Sequence, residues 1–457
     1  MKKYIAYKDS SIEWIGKIPE HWIQYKIKFV IAKKGYKAGP FGSSLITGDL
    51  LDFGDYKVFT PEHVAEKNIL EEWYLPNERI NEMNQFIVND NDVVLPIVGT
   101  LGLAKVFNTS IDGKGIINQR LAKLTCDDKK ISPQFLCLTL MGVSNYQEYF
   151  KLQSRGAILS HLNKETIVSM PIVLPSIEEQ AKIINYINDR TSKIELLIEK
   201  KQQLIRLLKE EKITLVNHLV TRGLNSNVKV KESGFEFVET VPIHWEVRNF
   251  QTVAKDDKYS FTGGPFGSDL KFSDYTESGV RIIQLQNIGD GNFNDKYKIY
   301  TSIEKADELR SCNIYPNDII IAKMADPVAR ACIMPNSSSR FLMASDGIRL
   351  SVNEVNYDNK FILYAINSNY FRKQAEMNSS GSTRLRIGLN QLKKLKLILP
   401  PKEEQVIISK YIENKILEID TIILKTEKEI ALMKEYKTAL ISEVVTGKID
   451  VRDEVIV

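Results

Sequence analysis

The chain has 457 residues, 43% hydrophobic and 26% charged, with a formal net charge of +4 at pH 7. That is the composition of globular protein with room for about three domains, and no stretch approaches the ~20 apolar residues of a membrane span. Met1-Lys2-Lys3-Tyr4 lacks the apolar run of a signal peptide, and Cys126, Cys137, Cys312 and Cys332 are scattered without CxxC spacing. That spacing disfavours disulfide and zinc frameworks, and the expectation is buried free thiols in a cytoplasmic protein that contacts no membrane. A pI near 8.5 is compatible with nucleic-acid binding without demanding it.

In chain order, the first recognisable piece is DSSIEWIGKIPEHW at residues 9–22, followed by Gly39-Pro40-Phe41-Gly42-Ser43. Short β-branched runs such as Asp92 to Leu95 predict strands, and Pro133 to Met141 predicts a helix. From Pro175-Ser176-Ile177-Glu178-Glu179-Gln180 the chain runs to Thr221 with no further Pro or Gly. Ile183, Ile187, Ile194, Ile198, Ile205, Leu208 and Leu215 step by three, four or seven and fall on one helix face. A helix from Ile177 to Val220 is roughly 66 Å long at 1.5 Å per residue, too long to stand alone, and its apolar stripe requires a partner. Thr221-Arg222-Gly223 is a glycine-type stop, and residues 224–232 read as a polar link.

The chain then repeats itself. ESGFEFVETVPIHW occupies residues 232–245, Gly264-Pro265-Phe266-Gly267-Ser268 follows, and Asp318 to Ile321 answers Asp92 to Leu95. Pro400-Pro401-Lys402-Glu403-Glu404-Gln405 opens a second long helix ending at Thr446-Gly447, with Ile408, Ile412, Ile419, Ile423, Ile430, Met433 and Leu440 as its stripe. Four pieces in one order at offsets of 223 to 226 mean duplication. Further strands are expected at Arg281 to Leu285, Asp318 to Ala322 and Gly347 to Val352, and a helix over Asn359 to Met377. The expected fold is α+β: domains at 1–174 and 223–399, helices at 175–222 and 400–457, and the helices paired antiparallel as a coiled coil about a pseudo-two-fold axis.

Catalytic motifs are missing: there is no GxSxG, HExxH, Walker loop or Asn-Pro-Pro-aromatic motif. Asp318 to Lys323 has a faint likeness to a nuclease cluster, but Ile321 stands where an acid is needed. The His21-Trp22 and His244-Trp245 pairs suit either base stacking or a packed segment, and packing is favoured. The better contact candidates are loops. In Gly39, Phe41, Gly42 and Ser43, and in Gly264, Phe266, Gly267 and Ser268, glycines admit phosphate and Phe can stack or wedge; a tight turn with Phe in the core is the competing reading. Arg384 and Arg386, on the small-residue tract from Ser379, suit base edges or phosphate, with Arg155 as counterpart. Lys37, Asn118, Gln119, Arg120 and Lys323 are further DNA-contact candidates. Glu178, Glu179, Gln180, Glu403, Glu404 and Gln405 suit helix starts, where acids meet the dipole, or the docking of another subunit.

With SSIEWIGKIPEHW, GPFGS in both copies, LPSIEEQ, LPPKEEQ and LISEVVTGKIDVRD, nearly the whole chain resembles the specificity subunit of a Type I restriction–modification enzyme. The resemblance implies two target-recognition domains, each reading half of a split double-stranded DNA site, on a coiled-coil spacer. It implies no catalytic residue and no cofactor bound by this chain. It implies two modification subunits that bring S-adenosylmethionine and methylate adenine, joined by two restriction subunits, with Mg and ATP, where the system restricts. The alternative is a scaffold that only assembles partners through its helices. One departure from symmetry is expected: Asn163 to Pro175 spans twelve steps and Asn390 to Pro400 ten.

Overall fold

The computed structural model describes residues 2–454 apart from 47, 49, 68, 70, 100, 144, 145, 147, 151–160, 325, 326, 382 and 383. The chain divides into two compact units, Met1–Gln202 with Glu427–Val457, and Gln203–Thr426. The expected globular parts fall one in each unit, and each unit takes a share of both long helices.

The first unit is built on a four-stranded antiparallel sheet. Its strands are β1 (Ile31–Ala38), β2 (Val93–Pro96), β3 (Lys105–Val106) and β4 (Leu121–Cys126), in the order β1-β4-β2-β3. Successive side chains of a strand point to opposite faces, and here both faces are covered. Val93, Leu95, Ala122 and Leu124 join the core that also holds Ile183, Ile187, Leu440 and Val444 of the long helices. Val94 and Leu121 join a second core with Val58, Phe59, Ile116 and Ile117. That is why β2 reads as continuous Val-Val-Leu rather than alternating with polar residues. The second core rests on a smaller sheet in which Tyr56–Phe59 pairs antiparallel with Tyr74–Leu75 and parallel with Gly115–Ile117.

The second unit repeats this plan. Its strands β5 (Phe261–Gly263), β6 (Ile319–Ala322), β7 (Ala331–Ile333) and β8 (Gly347–Leu350) follow the order β5-β8-β6-β7. The register agrees too: Ala122 pairs with Ala38 and Leu95, and Ile348 pairs with Gly263 and Ile321. Ile319 and Ile321 face one core, Ile320 and Ala322 the other. The smaller sheet keeps its parallel pair, Val280–Ile283 with Phe341–Met343, and is enlarged to five strands.

The first long helix spans Ile177–Arg222 and the second Lys402–Val445. Within each unit their segments pack antiparallel. In the first unit Glu195 pairs with Lys437, and Lys201 Nζ lies 2.5 Å from Glu429. In the second, Lys212 Nζ lies 2.9 Å from Asp420, and Leu208 is buried with Ile419 and Ile423. These half-exposed ion pairs contribute ~0–1 kcal/mol each, so the buried stripe holds the helices together. Both helices stop at a left-handed glycine, Gly223 at φ +73° and Gly447 at φ +74°. A side chain would be strained at both places by the positive φ, and a Cβ would lie 3.0 Å from the Trp245 ring at Gly223 and clash at 2.4 Å with the Pro19 ring at Gly447.

The fold departs from the sequence expectations in four places. Residues 224–232 are not a plain link, because Val230–Phe235 pairs with Val238–Pro242 as a hairpin, the counterpart of Tyr7–Asp9 with Lys17–Pro19. The helix expected over Asn359 to Met377 is two, Asn359–Ile366 and Asn369–Met377. The break falls where the Asn367 side chain holds the Ala331 backbone, donating to its carbonyl at 2.9 Å and accepting from its N–H at 3.0 Å. The strand expected over Arg281 to Leu285 ends at Ile283, and Leu285–Asn287 is a 3-10 turn. Finally, the two helix approaches are equal in length. Asn163 caps the helix Lys164–Val168 and Gly388 precedes Leu389–Lys394, so Asn163 corresponds to Gly388 rather than Asn390. The backbone agrees, for Leu162 N donates to Ile97 O and Ile387 N to Lys323 O.

The four cysteines are free, three of them buried. Burial pushes the Cys126 and Cys332 thiols up to about 12, far from a reactive thiolate.

Candidate nucleic-acid interface

One end of the main sheet gathers the loop candidates in each unit. In the first, Gly39 to Ser43 leaves β1, Ile97 follows β2, and Asn118 to Arg120 leads into β4. Gly39 N donates to Leu121 O at 2.8 Å, and a Cβ on Gly39 would sit 1.8 Å from Asn118 O. The second unit matches this: Gly264 N donates to Gly347 O at 2.8 Å, and a Cβ on Gly264 would meet Ala344 O at 1.9 Å. The first glycine of GPFGS is therefore required by a close backbone crossing. The second is not, since a Cβ on Gly42 or Gly267 meets nothing within 4 Å among the described residues.

Pro40 and Pro265 are buried, and the Phe that follows is not. Phe41 is 87% exposed and Phe266 82%. The reading of this Phe as a core anchor is overturned. An aromatic ring kept in water twice, on a loop pinned by a glycine crossing, is available to stack on or wedge against a ligand. Ser43 lies in the 3-10 turn Gly42–Ser44, and Ser268 Oγ donates to Asp269 at 3.1 Å.

Beside the loop in the first unit, Lys37 bonds Gln85 and lies over the Phe86 ring at 4.9 Å. Asn118 is buried and its side chain accepts from Arg120 N at 3.0 Å, so it shapes the turn rather than presenting itself to solvent. Gln119 is exposed. Arg120 Nη1 lies 3.7 Å from Glu62, whose carboxyl is held below the ordinary range by the Thr60 hydroxyl first, with Arg120 adding to it. Arg155 lies outside the described residues.

In the second unit, Lys323 follows β6, its N–H donating to Asp346 O at 2.7 Å and its carbonyl accepting from Ile387. Burial, with Arg386 adding to it, lowers the pKa of its ammonium. Arg386 bridges to Met324 and Ser380, and its Nη2 lies 3.0 Å from Asp346 Oδ1. Arg384 is exposed on the same tract. The sheet end thus unites GPFGS, Lys323 and the arginine tract.

Three residues at this end were not singled out from the sequence: Asp346, Glu62 and His161. Asp346 corresponds to Arg120, given the matched crossings at Leu121 and Gly347, and His161, bridged to Val98, corresponds to Arg386, bridged to Met324. The repeat offsets of 225 and 226 could have found Asp346 and His161, opposite Arg120 and Arg386 in the duplication. Asp318 and Lys323 sit at opposite ends of β6, and Asp318 is buried against Arg349 at 2.7 Å. The nuclease-like spacing is a structural ion pair and a separate lysine.

The helix starts do something else. Glu179 is buried and accepts from Tyr4 at 2.7 Å and from the Trp22 indole at 3.1 Å, with His21 Nε2 at 2.8 Å. Glu404 takes the Trp245 indole at 3.1 Å and His244 at 2.8 Å. Both Trp rings are fully buried, which makes them packed anchors, as favoured, and removes the indoles from base stacking, while His21 and His244 are exposed. Gln180 accepts from Ser132 N and donates to Lys130 O and Pro175 O. Gln405 accepts from Asp358 N and donates to Pro400 O. These four side chains tie each helix start to its own unit; Glu178 and Glu403 are exposed.

Among the described residues no cluster of His, Cys, Asp and Glu could hold a metal, and no helix is long and apolar enough to cross a membrane.

The comparisons agree with this plan. The family model for the Type I restriction modification DNA specificity domain matches residues 20–206 and 275–432, one segment for each head. The chain belongs to that family. It is 23% identical over 450 residues to the type I restriction enzyme MjaVIII specificity subunit of Methanocaldococcus jannaschii, covering 96% of this chain and 95% of that one. It is 24% identical over 334 residues to the putative type I restriction enzyme MjaX specificity subunit of the same organism, covering 73% and 72%. Among solved structures, the HsdS subunit from Thermoanaerobacter tengcongensis is similar in fold, with TM-score 0.57, 15% identity and coverage of 94% and 98%. A chain from a study of complex assembly and conformational transition of the type I R-M system has TM-score 0.65, 15% identity and coverage of 94% and 99%.

Proposed function

We propose that this chain reads a bipartite, asymmetric double-stranded DNA site, one half-site for each sheet end, and makes and breaks no bonds itself. The observation that carries this is a pair of matched frames with unmatched side chains. Gly39 and Gly264 cross corresponding strands, β4 and β8, at the same place, and Phe41 and Phe266 stand out of both loops. Yet the positions held by Ile97, Arg120 and His161 in the first unit are held by Lys323, Asp346 and Arg386 in the second. Common backbone geometry suits the common phosphate backbone, and different polar groups suit different base edges. The residues assigned to DNA are Lys37, Gly39, Phe41, Gly42, Ser43, Gln119, Arg120 and Arg155 in the first unit. Those of the second are Gly264, Phe266, Gly267, Ser268, Lys323, Arg384 and Arg386. Asn118 acts through the Arg120 turn.

The long helices set the number of base pairs left unread between half-sites and carry the docking of two modification subunits, with Glu178 and Glu403 as the exposed acids at their starts. Those subunits bring S-adenosylmethionine and transfer its methyl group to adenine. Two restriction subunits with Mg and ATP complete the assembly where the system cleaves. A scaffold role alone gives no use to two exposed Phe loops. The test is co-expression with the cognate modification subunit and mapping of methylated adenines. A split motif with unlike halves is expected; methylation with no dependence on this chain would defeat the reading.

A further inference from the structure

The backbone of Arg386 is bonded on both sides. Its N–H donates to Ser380 O at 2.9 Å and its carbonyl accepts from Ser380 N at 3.0 Å, an antiparallel bridge. Gly381, next to the bridge, has φ +111°, and a Cβ there would lie 2.4 Å from Arg384 O. A bridge to Met324 and the bond from Ile387 N to Lys323 O fasten this stretch to the end of β6. The Arg386 side chain remains about half exposed, at 47%, with Asp346 3.0 Å from its Nη2.

Asp346 decides what such an arginine is for. A carboxylate 3.0 Å from a phosphate-binding guanidinium would repel the phosphate it should hold. A base pair carries no net charge, and a G·C pair shows the major groove two acceptors on guanine, O6 and N7, next to a donor on cytosine, N4. An arginine fork with a carboxylate at its side is the complement of that pattern: two N–H donors for guanine and an acceptor for the neighbouring amino group. Lys323, less exposed and next in line, offers a single point charge, which suits a phosphate at the edge of the same contact.

We propose that Arg386, oriented by Asp346, reads one G·C pair in the half-site of the second unit. This rests on the DNA-reading function above and adds the residue and the base pair. It also accounts for the difference between units. In the first, the corresponding positions hold His161 and Arg120, so the same frame meets different base edges.

The test is methylated-adenine mapping of the reconstituted complex of full-length chain and modification subunits, carrying Arg386→Ala, Arg386→Lys or Asp346→Asn. The wild-type complex should show a fixed G·C pair at one position. Arg386→Ala should make that single position degenerate, with discrimination falling about tenfold or more, while the other half-site and the unread gap stay unchanged. Arg386→Lys should do nearly the same, because it keeps the charge and loses the fork. Asp346→Asn should weaken discrimination at that position with little change in binding to unrelated DNA. Thermal melts of each variant show whether it still folds, and Arg386→Lys gives the readout if Arg386→Ala does not. An unchanged motif in Arg386→Lys and Arg386→Ala overturns the assignment. So does uniform weakening across all sequences, which would make Arg386 a phosphate contact. A wild-type complex with no split motif at all would instead overturn the DNA-reading function itself.

Discussion

Arg349 and Asp318 form a buried ion pair, Nε to Oδ2 at 2.7 Å, where Lys123 and Asp92 stand at 3.0 Å in the other unit. Each acid sits just before the central strand of its sheet, and each base on the neighbouring strand. Asp92 also accepts from Thr125 Oγ1 and Asn89 N, and Asp318 from Tyr315 N, so these carboxylates close the turn into the strand. The pair has kept its place through the duplication while the cation changed.

Removing one member of such a pair strands a charge out of water. Arg349→Met should cost about 3–5 kcal/mol, whereas replacing Arg349 and Asp318 together by apolar residues should cost less. Urea denaturation of the three proteins checks this, and a double variant less stable than the single would contradict it.

The GPFGS loops separate steric demand from exposure. Gly39→Ala drives a Cβ into the Asn118 carbonyl and should destabilise the first unit by about 1–3 kcal/mol. Phe41→Ala removes an exposed ring and should leave the melting temperature almost unchanged, within roughly ±0.5 kcal/mol. The same Phe41→Ala should weaken DNA binding, by about 1–3 kcal/mol if the ring stacks on a base. Thermal melts and fluorescence anisotropy with the assembled complex measure the two effects. Unchanged affinity in both Phe41→Ala and Phe266→Ala would remove the loops from the interface.

The C-terminal tail should be sensitive to acid. The Asp450 carboxylate accepts from Arg452 Nε at 2.9 Å and Nη2 at 2.8 Å, Asp450 N donates to Lys2 O, and the guanidinium lies over the Tyr4 ring at 4.9 Å. Arg452 holds the Asp450 carboxyl below its ordinary value of 3.8. A depressed acid gives its full stabilisation above the unfolded value and loses it as pH falls through the lower folded one. Arg452→Met should therefore be less stable than wild type at pH 7, with the difference shrinking as pH falls past 3.8 and through the lower folded value. Denaturation at a series of pH values checks the convergence; a difference that persists in acid would assign Arg452 a purely packing role.

Much of this architecture is legible in the residues. The repeat locates both heads, the stripe from Ile183 to Leu215 marks the buried helix face, and the glycine stops fall where the helices end. Long periodic segments announce themselves because every turn repeats one demand. The site is harder to see, since its members are fixed by crossings between distant strands. Nothing local says that Gly39 is needed by Asn118 O and Gly42 by nothing, or that Phe41 points outward while Pro40 is buried. Glu179 and Glu404 show the same limit. Their place at a helix start accounts for an acid in general, and only the fold reveals the Trp22 and Trp245 indoles waiting for it. Asn367 breaks a helix because of Ala331, which lies on another strand.

The central claim is that two unlike readers are held at a set spacing by the paired helices. The direct measurement is the methylated-adenine map of the complex before and after deleting about one helical turn from each long helix, in register within the antiparallel pairing. Both half-site sequences should persist while the unread gap shortens. A gap of unchanged length, or half-sites that change sequence when only the helices are cut, would contradict it.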